Sequence, residues 1–290
     1  MRHLLAADWV RFGRRRDLWI LVALVPLILA IMFVADFNGA VTPPQFNFSM
    51  DPPDPVAEAA MRAQMLAEWH QQVITALPAF AFPASLLKVA GNAGPMILLA
   101  IYLAIALVAG EFEWGTVRTL HLTSSRGRTL AVRVGVILGL VGIVAAMGLL
   151  IAAILPFLLS FEGAPLQQYA APVPDLWLGI VVRLATVLPF IAVPVLIAVL
   201  ARSTSLSFLL VLLFFVADLA MTGATFWSWS PVPWIPALTV SGSISRLLGA
   251  PDAPLALIAP ASVSLAALLA WAVLPVVAAI LRFRRLDLNE

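Results

Sequence analysis

Six stretches of the chain run nearly free of charge for about twenty residues, the length a helix needs to cross the hydrocarbon core of a bilayer. The first runs from Leu18 to Ala35 and is closed by Asp36. The second ends in Pro95–Gly110, with a start as early as Val89, and the third lies within Val134–Phe161. The fourth covers Leu176–Ala201 and is interrupted by Arg183, Pro189 and Pro194. The fifth runs from Leu206 to Phe226 and carries Asp218, and the sixth lies within Pro254–Leu281. Between the first two, Asp54-Pro55 offers an N-cap followed by proline at the first helical position. Leu66, Trp69, Val73 and Leu77 then share one face, and Pro78 stops the run. The pattern predicts an amphipathic helix over Pro55–Ala76 within a loop spanning 36–92. Ahead of the first span, Leu4, Leu5, Trp9 and Phe12 recur opposite Arg2, Asp8 and Arg11. That spacing fits a short helix over 1–17 lying in the membrane interface. The expected fold is all-α, a single polytopic domain over 1–290 with six transmembrane helices.

With six spans both termini share one side, and the arginines choose it. Arg2, Arg11, Arg14, Arg15 and Arg16 precede the first span; Arg118, Arg126, Arg128 and Arg133 lie between or at the edges of the second and third. Arg202 separates the fourth and fifth, and Arg282, Arg284 and Arg285 follow the sixth. The opposite loops hold only Arg62, Lys88 and Arg246. The excess of basic residues marks the cytoplasmic face, so both termini are expected there. An arginine-rich start before an apolar run also resembles an export signal. Leu18–Ala35 is longer than a usual signal core, however, and no small-residue cleavage site follows it, so it is kept as a span.

Composition closes off other classes. Of 290 residues 62% are hydrophobic and 11% charged, with a mean hydropathy of +1.03. Soluble chains carry roughly 25% charge, so a soluble globular enzyme is excluded and the apolar surplus must face lipid. Cysteine is absent, and the histidines, His3, His70 and His121, are too scattered for a metal pair. The one lysine, Lys88, is followed by Val89 rather than Ser or Thr. A phosphate-binding loop needs that hydroxyl for its magnesium, so the chain does not hydrolyse ATP by that route and is not expected to be catalytic. The net charge of +2 and pI near 9.7 would suit nucleic acid, but the arginines sit at membrane flanks, and no nucleic-acid partner is expected.

The loop over 223–255 is unusually apolar for one facing water. Trp227, Trp229 and Trp234 suit the interface, while Pro231, Pro233 and Pro236 break regular helix. Ile235–Leu248 is expected to dip into the bilayer as a re-entrant segment before the last span, which irregular backbone tolerates only under protein cover.

The segment joining the second and third spans, 111–131, is the most informative. Glu111 and Arg118 lie seven apart on one helical face, and Trp114 lies four before Arg118, within cation–π reach. Ser124-Ser125-Arg126-Gly127 reads as a turn. Spacing alone leaves open whether this is only a charged interfacial linker. The run Gly110-Glu111-Phe112-Glu113-Trp114-Gly115-Thr116-Val117-Arg118-Thr119-Leu120 resembles the E-[FY]-x-x-G-T-x-R-x-L segment of ABC type-2 transporter permeases. The basic amphipathic start, the six spans and the proline-rich last loop are similar to that family too.

The resemblance implies that Glu111, Phe112, Glu113, Trp114, Gly115, Thr116 and Arg118 form a coupling helix that docks on an ATP-hydrolysing subunit. It further implies a pathway shared with a second permease copy or a related permease, in a bacterial plasma (inner) membrane. ATP and Mg would be bound by the partner, with no cofactor on this chain. The expected activity is ATP-driven export of an amphipathic drug, peptide or lipid-like substrate. Two other classes stand beside it. An intramembrane protease of the E-E-x-x-x-R kind would need adjacent glutamates and embedded histidines, and Phe112 separates Glu111 from Glu113. An ion-coupled secondary transporter or channel would use Asp218 and Arg183, the charges within spans. At ~1.5 Å per residue Asp218 lies ~21 Å from the cytoplasmic end of its span and Arg183 ~28 Å. The sequence leaves three readings of Asp218 open: pairing with Arg183, capping a broken helix under the last loop, or lining a path.

Overall fold

The computed structural model describes residues 16–44, 55–113, 126–222, 238–248 and 261–285. These are mostly helical. In chain order they form α1 (Arg16–Val41), α2 (Pro55–Ala76), a 3-10 turn (Leu77–Ala79), α3 (Ala84–Gly91), α4 (Gly94–Glu113) and α5 (Arg126–Leu158). A two-stranded hairpin follows, β1 (Ser160–Phe161) and β2 (Ala164–Pro165), with a 3-10 turn over Leu166–Tyr169. The chain then runs through α6 (Leu176–Ala185), α7 (Pro189–Ala201), α8 (Thr204–Thr222), α9 (Val240–Leu248) and α10 (Ala261–Arg285).

Among the described residues, six helices are long and apolar enough to cross a membrane: Leu18–Val41, Gly94–Glu113, Gly127–Leu158, Leu176–Ala201, Thr204–Thr222 and Ala261–Arg285. The pair Val56–Ala79 and Ala84–Gly91, bent by 87°, passes the same test jointly and raises the number to seven if it counts as one span. Against that count, α2 carries Glu58, Arg62 and Glu68, and Glu58 and Arg62 pair across one turn at 3.2 Å on an exposed face. Hydrocarbon does not favour such a face.

Several boundaries differ from the sequence reading, for identifiable reasons. Asp36 does not close the first helix, which continues to Val41; its carboxylate lies 3.2 Å from the Lys88 ammonium, so the charge is accommodated on the helix surface. The second apolar helix starts at Gly94, and the stretch before it is a separate short helix, α3. Arg126 and Gly127 are the first residues of α5 rather than part of a turn. The fourth span breaks at Pro189 but not at Pro194, which lies inside α7. The Thr186, Val187 and Leu188 amides close the break with bonds to the carbonyls of Arg183, Leu184 and Ala185, so these three donors are satisfied there. The last helix continues beyond Leu281 to Arg285 because Arg282, Arg284 and Arg285 suit its C-terminal carbonyls. The interfacial helix expected over 1–17 lies outside the described residues except for Arg16 and Asp17, which open α1.

The chain divides into two compact units. In the unit formed by Pro26–Asn92 and Ala146–Ile180, Phe80 sits edge-on to Phe33 and Phe37 at 5.7 and 5.6 Å. Lys88 lies 4.3 Å above the same ring. Ser85 donates to the Ala152 carbonyl at 2.8 Å, and the Gln167 amide brackets the Phe82 backbone. Glu162 (φ 50°) and Gly163 (φ 79°) turn the hairpin, both left-handed as a tight two-residue turn requires. Their placement sets Glu162 3.3 Å from His70 of α2. The second unit comprises Met1–Val25, Ala93–Ala145 and Val181–Glu290. There α4 and α7 are the most enclosed helices, while α8 and α10 leave much of their surface open.

Candidate functional site at the end of the second apolar helix

The last turn of α4 is Gly110-Glu111-Phe112-Glu113, so the first residues of the expected coupling segment continue the span itself. Successive side chains on a helix diverge by ~100°. Three consecutive residues can therefore reach three different neighbours, and these do.

Glu111 turns inward to α5. Its carboxylate lies 3.1 Å from the Arg133 guanidinium, with the two side chains 2% and 1% exposed. Phe112 meets Phe283 of α10 edge-on at 5.8 Å. Glu113 turns to the start of α8, where it accepts from the Thr204 amide at 2.7 Å and the Ser203 hydroxyl at 3.2 Å, and also from the Thr204 hydroxyl. The approach is prepared locally by Arg202, which closes α7 in the left-handed conformation (φ 54°) and turns the chain into α8. A carboxylate at the first turn of α8 satisfies amide groups that lack a partner within the helix and sits at the favourable end of its dipole. One further close approach joins this rim. A Cβ on Gly127 of α5 would meet Arg284 at 3.1 Å and Ile280 at 3.3 Å, so α5 and α10 touch where a larger residue would push them apart.

Of the residues expected to couple to a partner, Glu111, Phe112 and Glu113 are thus spent on contacts within the chain. Trp114, Gly115, Thr116 and Arg118 lie outside the described residues. Arg118, expected on the same helix face as Glu111, lies outside the described residues; the Glu111 carboxylate meets Arg133, 22 positions along the chain. Sequence reading placed Arg133 only as a topological charge at the start of the third span, and gave no role to Phe283, Ser203 or Thr204.

A second polar site lies within α8. Asp218 is 3% exposed. Its two carboxylate oxygens accept from the amides of Val240 and Ser241, each at 2.8 Å. Of the three sequence readings, the geometry matches the helix cap: the carboxylate holds the N-terminus of α9. Thr239 completes the cap by accepting from the Gly242 amide at 3.1 Å, and the Trp271 indole of α10 donates to the Leu238 carbonyl at 2.8 Å. Arg183 sits half-buried in the last turn of α6, where its charge suits the helix C-terminus.

Between these sites lies an apolar cavity of about 270 Å³, bordered by Val134 and Leu138 of α5, Leu188 and Ile191 beside and in α7, and Val273 and Val277 of α10. Its lining is almost wholly hydrocarbon and offers no ligands for an ion. Among the described residues no cluster of three or more acidic or histidine side chains is placed to hold a metal. Comparison of the chain with known protein families, curated proteins and solved structures gives no match.

Proposed function

We propose that the chain is the membrane-spanning permease subunit of an ATP-driven exporter of the ABC type-2 kind, with both termini in the cytoplasm and ATP hydrolysed on a separate subunit. The observation that carries this reading is the triple tie of Glu111, Phe112 and Glu113 to α5, α10 and α8. A segment that passes force from a soluble motor must leave the membrane from a point fixed to several spans. A passive linker has no such need. Residues 114–125 issue directly from that point, between the ends of α4 and α5. Displacing them would move the ends of four helices together, which suits alternate opening of a path towards the two faces. A second permease copy or a related chain would complete the path.

The largely apolar cavity beside the break in the fourth span suits the hydrocarbon part of an amphipathic substrate. The competing reading, an ion-coupled carrier or channel, needs Asp218 available to an ion. With both oxygens accepting from backbone amides, it is the poorer account. The test is co-expression with the soluble protein carrying a phosphate-binding loop encoded in the neighbouring reading frame, followed by reconstitution. Co-purification and ATP hydrolysis stimulated by a transported amphiphile are expected. No such neighbouring frame, together with transport unaffected by ATP depletion, would remove the exporter reading.

A further inference from the structure

Two contacts of the same kind stand at opposite ends of one helix. At its start, α8 is held by a carboxylate from α4: Glu113 on the Thr204 amide. Towards its other end, α8 itself offers a carboxylate to α9: Asp218 on the Val240 and Ser241 amides. The two joints lie ~21 Å apart, at ~1.5 Å per residue. Each joins the side chain of one helix to the N-terminus of the next, so α4, α8 and α9 form a series.

The helix between the joints is built to stay straight. Of the six apolar helices it alone contains neither proline nor glycine, the usual sites of a kink. It is also the least enclosed of them, and only Ser207, Val211 and Asp218 are fully buried along its length. Its mid-length contacts are apolar rings: Phe215 stacks on Phe190 at 4.6 Å, and Phe214 meets Trp271 edge-on at 5.5 Å. Ring contacts of this kind fix position far less strictly than a carboxylate on two amides. Charge-assisted bonds are roughly twice as strong as neutral ones. On that scale, the two bonds from Asp218 are each stronger than the neutral bond from Trp271 to Leu238. α9 also packs along α10, so the Asp218 carboxylate is what ties it to α8.

We propose that α8 is a connecting rod: a displacement at Glu113 is delivered, through the rigid helix, to α9 by Asp218. Glu113 and Asp218 are positioning residues, one at each joint. The proposal takes its purpose from the coupling reading above, but its test needs no ATPase, so either can fail alone.

The native chain has no cysteine, so a single Ser245→Cys on the exposed side of α9 reports that helix without background. In the full-length chain in lipid nanodiscs, the rate of maleimide labelling is compared across variants at the far joint. Glu113→Gln is expected to change the rate by ~3-fold or more, as a change in local opening does. Asp218→Asn is expected to change it too, and Glu113→Gln is expected to have no further effect once Asp218→Asn is present, the non-additivity of sites acting in series. Arg128→Gln, an exposed charge at the Glu113 end, should leave the rate unchanged. If Asp218→Asn does not insert, Trp271→Phe replaces it: by removing the hydrogen bond that ties Leu238 to α10 it should enlarge the response to Glu113→Gln. An unchanged rate in Glu113→Gln, alone or with Trp271→Phe, or independent effects of the two carboxylates, would overturn the proposal.

Discussion

The Glu111 carboxylate meets the Arg133 guanidinium at 3.1 Å, and neither side chain is more than 2% exposed. Two opposite charges so enclosed depend on one another. Each has given up its water, and the opposite charge beside it offsets part of that loss. The pair joins the last turn of α4 to the first turns of α5, so the ends flanking residues 114–125 are fastened by it.

Removing one partner should therefore cost about 3–5 kcal/mol, the range for breaking a buried pair, whereas an exposed pair costs about 0–1 kcal/mol. Glu111→Ala and Arg133→Ala are each expected to lower the yield of monodisperse protein and its melting temperature in detergent. Replacing both at once, Glu111→Leu with Arg133→Met, should recover much of the loss because no lone charge remains. A thermal-shift series checks this. Single variants as stable as the parent would show that the pair is open to water.

Much of the architecture is legible in the sequence because lipid imposes simple rules. Residues 55–76 form the expected helix with the expected ends, and Pro78 follows within a 3-10 turn. The six apolar helices follow from hydropathy alone. Harder to read are contacts between helices. The seven-residue spacing of Glu111 and Arg118 gave no sign of the contact with Arg133, because periodicity along one helix holds no information about a second. Asp218 was ambiguous for the same reason: its partners are backbone amides 22 and 23 residues away, which any residue type could supply. Pro189 and Pro194 show the limit of residue-by-residue rules. The first opens a helix and the second sits within it, a difference set by neighbours rather than by proline itself.

Close packing makes a second test at Gly148 of α5. A Cβ there would lie 3.0 Å from a Leu29 methyl, and Leu29 is buried at 2% exposure. Gly148→Ala must push Leu29 aside, at about 1–3 kcal/mol for overpacking. Adding Leu29→Ala should relieve the clash, leaving the double variant more stable than Leu29→Ala with independent effects would predict. Additive melting shifts would show that the two residues do not touch.

Sidedness follows from the arginine pattern. Single cysteines at Ala7, Ser125 and Arg285 should react with an impermeant maleimide only from the cytoplasm, and one at Ala57 only from outside. Labelling of Ala7 and Ser125 from opposite faces would mean that the bent pair of α2 and α3 crosses the membrane as a seventh span.

The coupling reading stands or falls on the residues between α4 and α5. Glu111 is unsuitable for testing it, because its substitution should damage the fold whatever the segment does. Arg118 and Gly115 carry the resemblance and are not part of the Glu111–Arg133 pair. Truncating one member of a desolvated charge pair at an interface costs about 2–5 kcal/mol, or a loss of roughly 30-fold or more in affinity. Arg118→Ala is therefore expected to leave insertion and melting temperature unchanged while reducing association with the ATPase subunit by that factor. Gly115→Leu should act alike if the partner approaches the backbone closely there. Arg128→Ala, exposed on the first turn of α5, is the control and should bind as the parent does. Titrating the purified ATPase subunit onto the reconstituted chain measures all three. Equal affinities across the series would reduce residues 114–125 to a linker and remove the main support for an ATP-driven permease.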